Sequence, residues 1–125
     1  MYKRKKILIV DNDTDVTLTF KTALDNYGFE VETYNDPVLA LSNFKPHFYD
    51  LLLIDIRMPD MNGFELSQKI RKRDRSVKIC FITAFEVYYK ALLEEYPNMD
   101  LKCIIKKPIM IDDLIKRIET EFEDK

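Results

Sequence analysis

The sequence predicts an α/β domain built on a doubly wound parallel sheet, and three features of its patterning carry that prediction. Five short apolar runs recur along 125 residues: "KILIV" (6–10), "FEVETY" (29–34), "DLLLIDI" (50–56), "VKICFIT" (77–83) and "LKCIIK" (101–106). Segments of helical period separate them, so strand and helix alternate five times. Several runs are apolar almost throughout, as strands are when helices cover both faces of the sheet. A closed barrel would need eight such units.

In chain order, the first helical segment places Val16, Phe20, Ala23, Leu24 and Tyr27 on one face, and Gly28 stands where a C-terminal cap belongs. The second run alternates apolar residues with charge, the pattern of an edge strand. "NDPVLALSNF" then offers Asp36 as N-cap, Pro37 at the first helical position, and Ala40, Leu41 and Phe44 on one side. Leu66 and Ile70 mark a third helix; Leu92, Leu93 and Tyr96 mark a fourth, closed by Pro97. Ile111, Leu114, Ile115, Ile118 and Phe122 mark the fifth. With no linker, repeat or low-complexity segment, residues 1–125 are read as one domain without an effector domain.

Composition narrows the function classes. Charged residues make up 34% of the chain yet the formal net charge is only -2, which excludes a globally polybasic nucleic-acid binder. No stretch approaches the ~18 apolar residues of a membrane span. "MYKRKK" is followed by only "ILIV" before Asp11, too short for a secretory signal. A cytoplasmic protein is expected. Cys80 and Cys103 lie in separate apolar runs without metal-ligand spacing and are expected as two buried thiols of a reducing compartment.

In a parallel sheet all strands end at one edge, and ligands bind there, at the point where the winding reverses. Asp11 follows the first run, Asp55 closes the third, Thr83 the fourth and Lys107 the fifth. If the first and third strands are neighbours, the two carboxylates converge and repel unless a cation or a raised pKa relieves them. A hard divalent ion with oxygen ligands, Mg²⁺, would do so. Lysine adds a positive charge for phosphate and threonine a hydroxyl donor, which together make a phosphoryl-binding site.

The stretch "VDNDTDV" also invites a calcium-loop reading, but that requires glycine and glutamate where Val16 and Thr22 stand. Asp11 and Asp13 fit the first motif of a haloacid-dehalogenase-type phosphatase, with Asp15 where threonine or valine should be; Asp55 then has no task. The segment "DLLLIDIRMPDMNGFEL", with Asp55, Met58, Pro59, Met61 and Gly63, resembles the phosphoacceptor strand and loop of the response regulator receiver family. "ILIVDND", "FITA" with Thr83, and "IIKKPI" with Lys107–Pro108 extend that resemblance over essentially the whole chain.

The resemblance implies a five-stranded flavodoxin-like fold of strand order 2-1-3-4-5. It implies that Asp55 accepts a phosphoryl group from a histidine kinase or a histidine phosphotransfer protein, with Thr83 and Lys107 contacting the phosphate. Mg²⁺ would be held by Asp11, Asn12 or Asp13, Asp55 and the backbone carbonyl of Arg57. Movement of Thr83 would alter a surface formed by the fourth helix, fifth strand and fifth helix, where an output protein or a phosphorylation-dependent homodimer would form. Such a domain is a switch, not a turnover enzyme.

Two departures stand out. Asn12 occupies the place of a second acid, so metal affinity is expected to fall unless Asp13, otherwise a helix cap, compensates; a receiver-shaped module that no longer phosphorylates is the rival reading. Ile104 takes the place of an aromatic residue, so any Thr83 movement must be relayed without a ring. Arg57 and Phe85 are expected to screen the phosphoryl group from water. Tyr88 and Tyr89 would lie near the output face, Lys106 points away from the site, and His47 is a loop residue. The basic run "QKIRKRDRSVK" (68–78) is expected at the opposite edge, near Lys3, Arg4, Lys5 and Lys6: a solvated helix end, or a basic pole for an acidic partner.

Overall fold

A computed structural model describes residues 3–84 and 86–123, the side chains of residues 86–89 excepted. Five strands, β1 (Lys6–Val10), β2 (Glu30–Tyr34), β3 (Leu51–Asp55), β4 (Lys78–Thr83) and β5 (Ile104–Lys106), form one parallel sheet of order β2-β1-β3-β4-β5. Five helices connect them in alternation: α1 (Thr14–Tyr27), α2 (Pro37–Ser42), α3 (Gly63–Arg71), α4 (Glu86–Glu95) and α5 (Ile111–Glu123).

Strand periodicity of two divides the interior into two apolar layers. Ile7, Ile9, Leu51 and Leu53 face one layer with Phe20 and Leu24 of α1 and Leu114 and Ile118 of α5. Leu8, Val10, Leu52 and Ile54 face the other with Ala40, Phe64, Leu66, Ile70 and Leu92, supplied by α2, α3 and α4. Both faces of the central strands are therefore dry, which is why β1 and β3 read as unbroken apolar runs.

The helix ends follow their capping residues. The Asp13 carboxylate accepts from the backbone amides of Asp15 and Val16, and Gly28 closes α1 at φ 112°. Asp36 caps α2 with Pro37 at its first turn, and Asn62 caps α3. Tyr27 departs from the expected apolar face. It is 52% exposed, and its hydroxyl donates to Glu119 at 2.8 Å, while Thr17 is buried in its stead.

The cysteines correct an expectation. Cys80 and Cys103 are joined in a disulfide, not held as free thiols. The pairing of Phe81 with Ile104 sets their neighbours side by side, with Cα atoms 4.6 Å apart and the Phe81 amide donating to the Cys103 carbonyl at 2.9 Å. Sequence spacing is blind to this, because it depends on the register of β4 against β5.

Basic residues gather on the edge where the strands begin. Lys3, Arg4, Lys5 and Lys6 surround a hollow of about 430 Å³ with His47. Arg71, Lys72, Lys78 and Lys102 line a cleft of about 680 Å³. No helix among the described residues is long and apolar enough to cross a membrane.

Asp74, hidden in the basic run, is the polar anchor of this edge. Buried, its carboxylate accepts from the amides of His47 at 2.8 Å and of Ser76 and Val77 at 3.2 Å, tying the loop before β3 to the loop before β4. His47 itself sits at φ 62°. Burial alone would raise the Asp74 pKa, but these backbone donors and His47 outweigh it and hold the group below the usual carboxylate range. A depressed folded pKa means stability present above the unfolded value of about 3.9 and lost as pH falls through the folded one. Asp74→Ala is expected to cost about 2–3 kcal/mol at pH 7, because three buried amides lose their acceptor. Urea denaturation at pH 7 and in acid should show the difference shrinking below about pH 4.

Candidate functional site

At the edge where the strands end, β1 and β3 are neighbours, and their terminal acids meet. The Asp11 backbone is fixed by its own amide, which donates to the Tyr34 carbonyl at 3.1 Å, and by Asn35 Nδ2, which donates to the Asp11 carbonyl at 2.8 Å. The side chain is 1% exposed. Its Oδ1 accepts from the Asp13 amide at 2.9 Å and its Oδ2 from Lys107 Nζ at 2.7 Å. Asp55 ends β3, 5% exposed, with Lys107 Nζ 3.6 Å from its Oδ2 and the Arg57 amide donating to its carboxylate.

Burial, followed by the negative charge of Asp11, pushes the Asp55 carboxyl up to about 7, with Lys107 only partly offsetting the rise. One ammonium thus serves two buried carboxylates, a charge arrangement one cation short of balance.

The loop after β3 is pinned from both sides. Met58 and Met61 are buried in the α3-side layer, and the Met61 amide donates to the Pro59 carbonyl at 2.8 Å across Asp60, at φ 71°. Gly63 opens α3 directly against β3, its amide donating to the Ile56 carbonyl at 2.8 Å. Lys107 is positioned by its amide, which donates to the Thr83 carbonyl at 2.8 Å, and its peptide bond to Pro108 is cis. Thr83 is buried at the end of β4.

An open cavity of about 790 Å³ lies above these groups. Asp11, Asn12, Asp13, Asp55, Arg57 and Lys107 line it, together with Met58, Pro59, Val16 and Ala84. Six of the seven described residues expected from sequence therefore share one cavity; the seventh, Thr83, is buried beside it, with its carbonyl accepting from the Lys107 amide. Phe85 and the side chains of Tyr88 and Tyr89 lie outside the described residues. Ile104 is half-buried against the α3-side layer, and Lys106 is exposed. The donors at the cavity are carboxylate, amide and carbonyl oxygens, a set suited to a hard divalent cation and not to a soft one. Asp13 is committed through Oδ1 to the α1 cap, with distances of 2.9 and 3.3 Å to the Asp15 and Val16 amides. Asp11, the nucleophile of the phosphatase reading, has one oxygen engaged by the Asp13 amide and the other by Lys107, while Asp55 meets the Arg57 amide, the Asp11 side chain and the longer approach of Lys107. Asn35, which also donates to Thr17 Oγ1 at 2.9 Å, went unnoticed in sequence because nothing in its neighbourhood marks a contact across the edge.

The chain belongs to the response regulator receiver family: residues 7–119 match the response regulator receiver domain. Such domains are signalling domains of two-component systems, not turnover enzymes. Among curated proteins, the response regulator receiver protein CpdR of Brucella abortus is 32% identical over 115 residues, covering 92% of this chain and 94% of that one. The response regulator ArlR of Staphylococcus aureus is 32% identical over 114 residues, covering 90% of this chain and 50% of its own. The chain thus spans nearly all of one relative and half of the other. Among solved structures, a CheY-like receiver domain protein from Methanospirillum hungatei superposes with a TM-score of 0.80 at 29% identity, covering 97% of this chain and 95% of that one. The non-phosphorylated HemR receiver domain from Leptospira biflexa gives 0.83 at 26% identity, covering 98% and 97%.

Proposed function

We propose that this chain is a phosphorylation switch in which Asp55 accepts a phosphoryl group from a histidine kinase or a histidine phosphotransfer protein. The observation that carries the reading is the Asp55 carboxylate beside an open cavity, with Lys107 between it and Asp11. An Asp55 oxygen attacks phosphorus, the phosphorus–nitrogen bond of the donor breaks, and the imidazole leaves with the bonding pair. Lys107 holds charge against the arriving oxygens, and Thr83 donates its hydroxyl to the product. Asp11, Asp55, the Asn12 amide oxygen and the Arg57 carbonyl would hold Mg²⁺, with Asp13 reinforcing from the helix cap. Bound there, Mg²⁺ supplies the positive charge that the site lacks. The product would alter the α4–β5–α5 face, where an output protein or a second copy would dock, in the cytoplasm and without direct contact to nucleic acid.

Incubation with acetyl phosphate and Mg²⁺, followed by intact-mass measurement, tests the reading. One added phosphoryl group, absent in Asp55→Asn, is expected. No adduct at all would instead favour the non-phosphorylating module. Hydrolysis of phosphate esters abolished by Asp11→Asn would favour the phosphatase.

Asn12, exposed at the cavity, is the residue that favours the rival. A neutral amide oxygen binds Mg²⁺ less strongly than a carboxylate, because affinity follows the charge of the ligand set. Asn12→Asp is expected to tighten Mg²⁺ roughly three- to ten-fold by calorimetric titration; unchanged affinity would show that residue 12 does not reach the ion.

A further inference from the structure

We propose that Cys80 and Cys103 are a reversible thiol–disulfide pair, served by Glu121 as proton carrier, that governs the freedom of the β4–α4–β5 segment. The bond joins β4 to the residue immediately before β5 and is buried in the layer beneath α1 and α5. It closes a covalent ring through the chain between residues 80 and 103, which contains Thr83 and the whole of α4. Beyond the bond, β4 ends in Thr83 and β5 leads directly into Lys107, and the backbones of these two residues are linked at 2.8 Å.

Two features point to exchange and not to an inert staple. β5 has three residues and pairs only with β4, so it is an edge that opens locally at least cost to the rest of the sheet. The Glu121 carboxylate and the two sulfurs all lie within 4.8 Å of one another. Glu121 also lines the 680 Å³ cleft and pairs with Arg117 Nε at 3.7 Å, so it links the buried bond to solvent. A carboxylate so placed takes protons from the thiols and returns them.

The chemistry balances with a dithiol as reductant. One of its thiolates attacks a cysteine sulfur, the Sγ–Sγ bond breaks as a mixed disulfide forms, and the released cysteine thiolate gains a proton through Glu121. The second thiol of the reductant then closes its own disulfide and frees the other cysteine. Two electrons and two protons pass to the protein, and a low-molecular-weight disulfide reverses the process.

Wild-type protein is equilibrated in glutathione buffers whose reduced-to-oxidised ratio spans roughly a thousand-fold, then alkylated and weighed. A chelator is present, because the reduced trio would compete for soft metal ions. The disulfide fraction is expected to fall from nearly all to nearly none across the series. In the reduced form Tm should drop by about 10 °C, as expected for opening a ring of this length. Amide exchange in β4, α4 and β5 should quicken at least roughly ten-fold in the reduced form. Cys80→Ala/Cys103→Ala should match the reduced protein under both conditions. Glu121→Gln should slow interconversion roughly ten-fold or more with the same end point. A pair fully oxidised or fully reduced throughout would overturn reversibility, equal amide exchange in both forms would overturn the hold on α4, and unaltered interconversion in Glu121→Gln would overturn its role. None of these readouts involves phosphate, so they stand or fall apart from the phosphoacceptor reading.

Discussion

Gly63→Ala is expected to destabilise the fold by about 3 kcal/mol or more and to suppress phosphoryl acceptance at Asp55 in the population that still folds. A Cβ at this position would sit 2.9 Å from Ile56 Cα and 3.0 Å from the Asp55 carbonyl carbon, and closer still to the Asp55 carbonyl oxygen. These are backbone atoms of the strand that ends in Asp55, not the ends of pliable side chains. β3 cannot retreat without loosening the Asp55–Ile82 pairing and the bond from the Ile56 amide to the Ile82 carbonyl at 2.9 Å. Nor can α3 lift away, since Phe64, Leu66 and Ile70 are its fully buried anchors. Gly28 makes the contrast: at φ 112° nothing lies within 4 Å of an added Cβ. Alanine there meets only the left-handed backbone, at a cost of about 1 kcal/mol. Urea denaturation of both variants, with acetyl phosphate labelling of the folded fraction, checks the pair. Equal losses of stability would refute the close-packing explanation.

What could be read from residues alone was whatever depends on local period and on strand ends. β1 and β3 announced themselves because both of their faces are buried. Asp11, Asp55, Thr83 and Lys107 fell on one edge because a parallel sheet puts all strand ends there. The family resemblance then supplied the strand order, which periodicity alone leaves open. The features that escaped are set by register and by loop contacts. Cys80 meets Cys103 only through the alignment of β4 with β5. Asp74 looks like one acid in a basic run, yet its work is to join the His47 amide, 27 residues earlier, to the amides of Ser76 and Val77. Tyr27 has the spacing of a core residue, but it lies in the last turn of α1, where its hydroxyl finds Glu119.

The second large effect concerns the charge on Asp55 itself. In protein freed of divalent ions, Asp55→Asn is expected to stabilise the fold at neutral pH by about 2 kcal/mol. The folded chain holds the Asp55 proton up to about pH 7, through burial and the nearby Asp11, whereas an unfolded aspartate releases it near pH 3.9. A raised folded pKa means that this group's stabilising share is complete below about pH 4, declines as pH rises, and is gone above pH 7. A carboxyl moved from about 3.9 to about 7 would correspond to about 4 kcal/mol, an upper limit that the shared Lys107 and local relaxation reduce. Asparagine keeps the shape and cannot ionise, so the difference between variant and wild type should be near zero at pH 4 and full at pH 8. Mg²⁺ should act in the same direction on the wild type, raising its Tm at pH 8, and do little to Asp55→Asn, which lacks the charge to be neutralised. Urea denaturation across this range, with and without Mg²⁺, decides the matter. A difference that does not vary with pH would place the strain elsewhere than in the ionised carboxylate. The acid cluster then costs stability in the resting chain as long as no cation relieves it, and the low-pH loss predicted at Asp74 runs the opposite way at the opposite edge of the sheet.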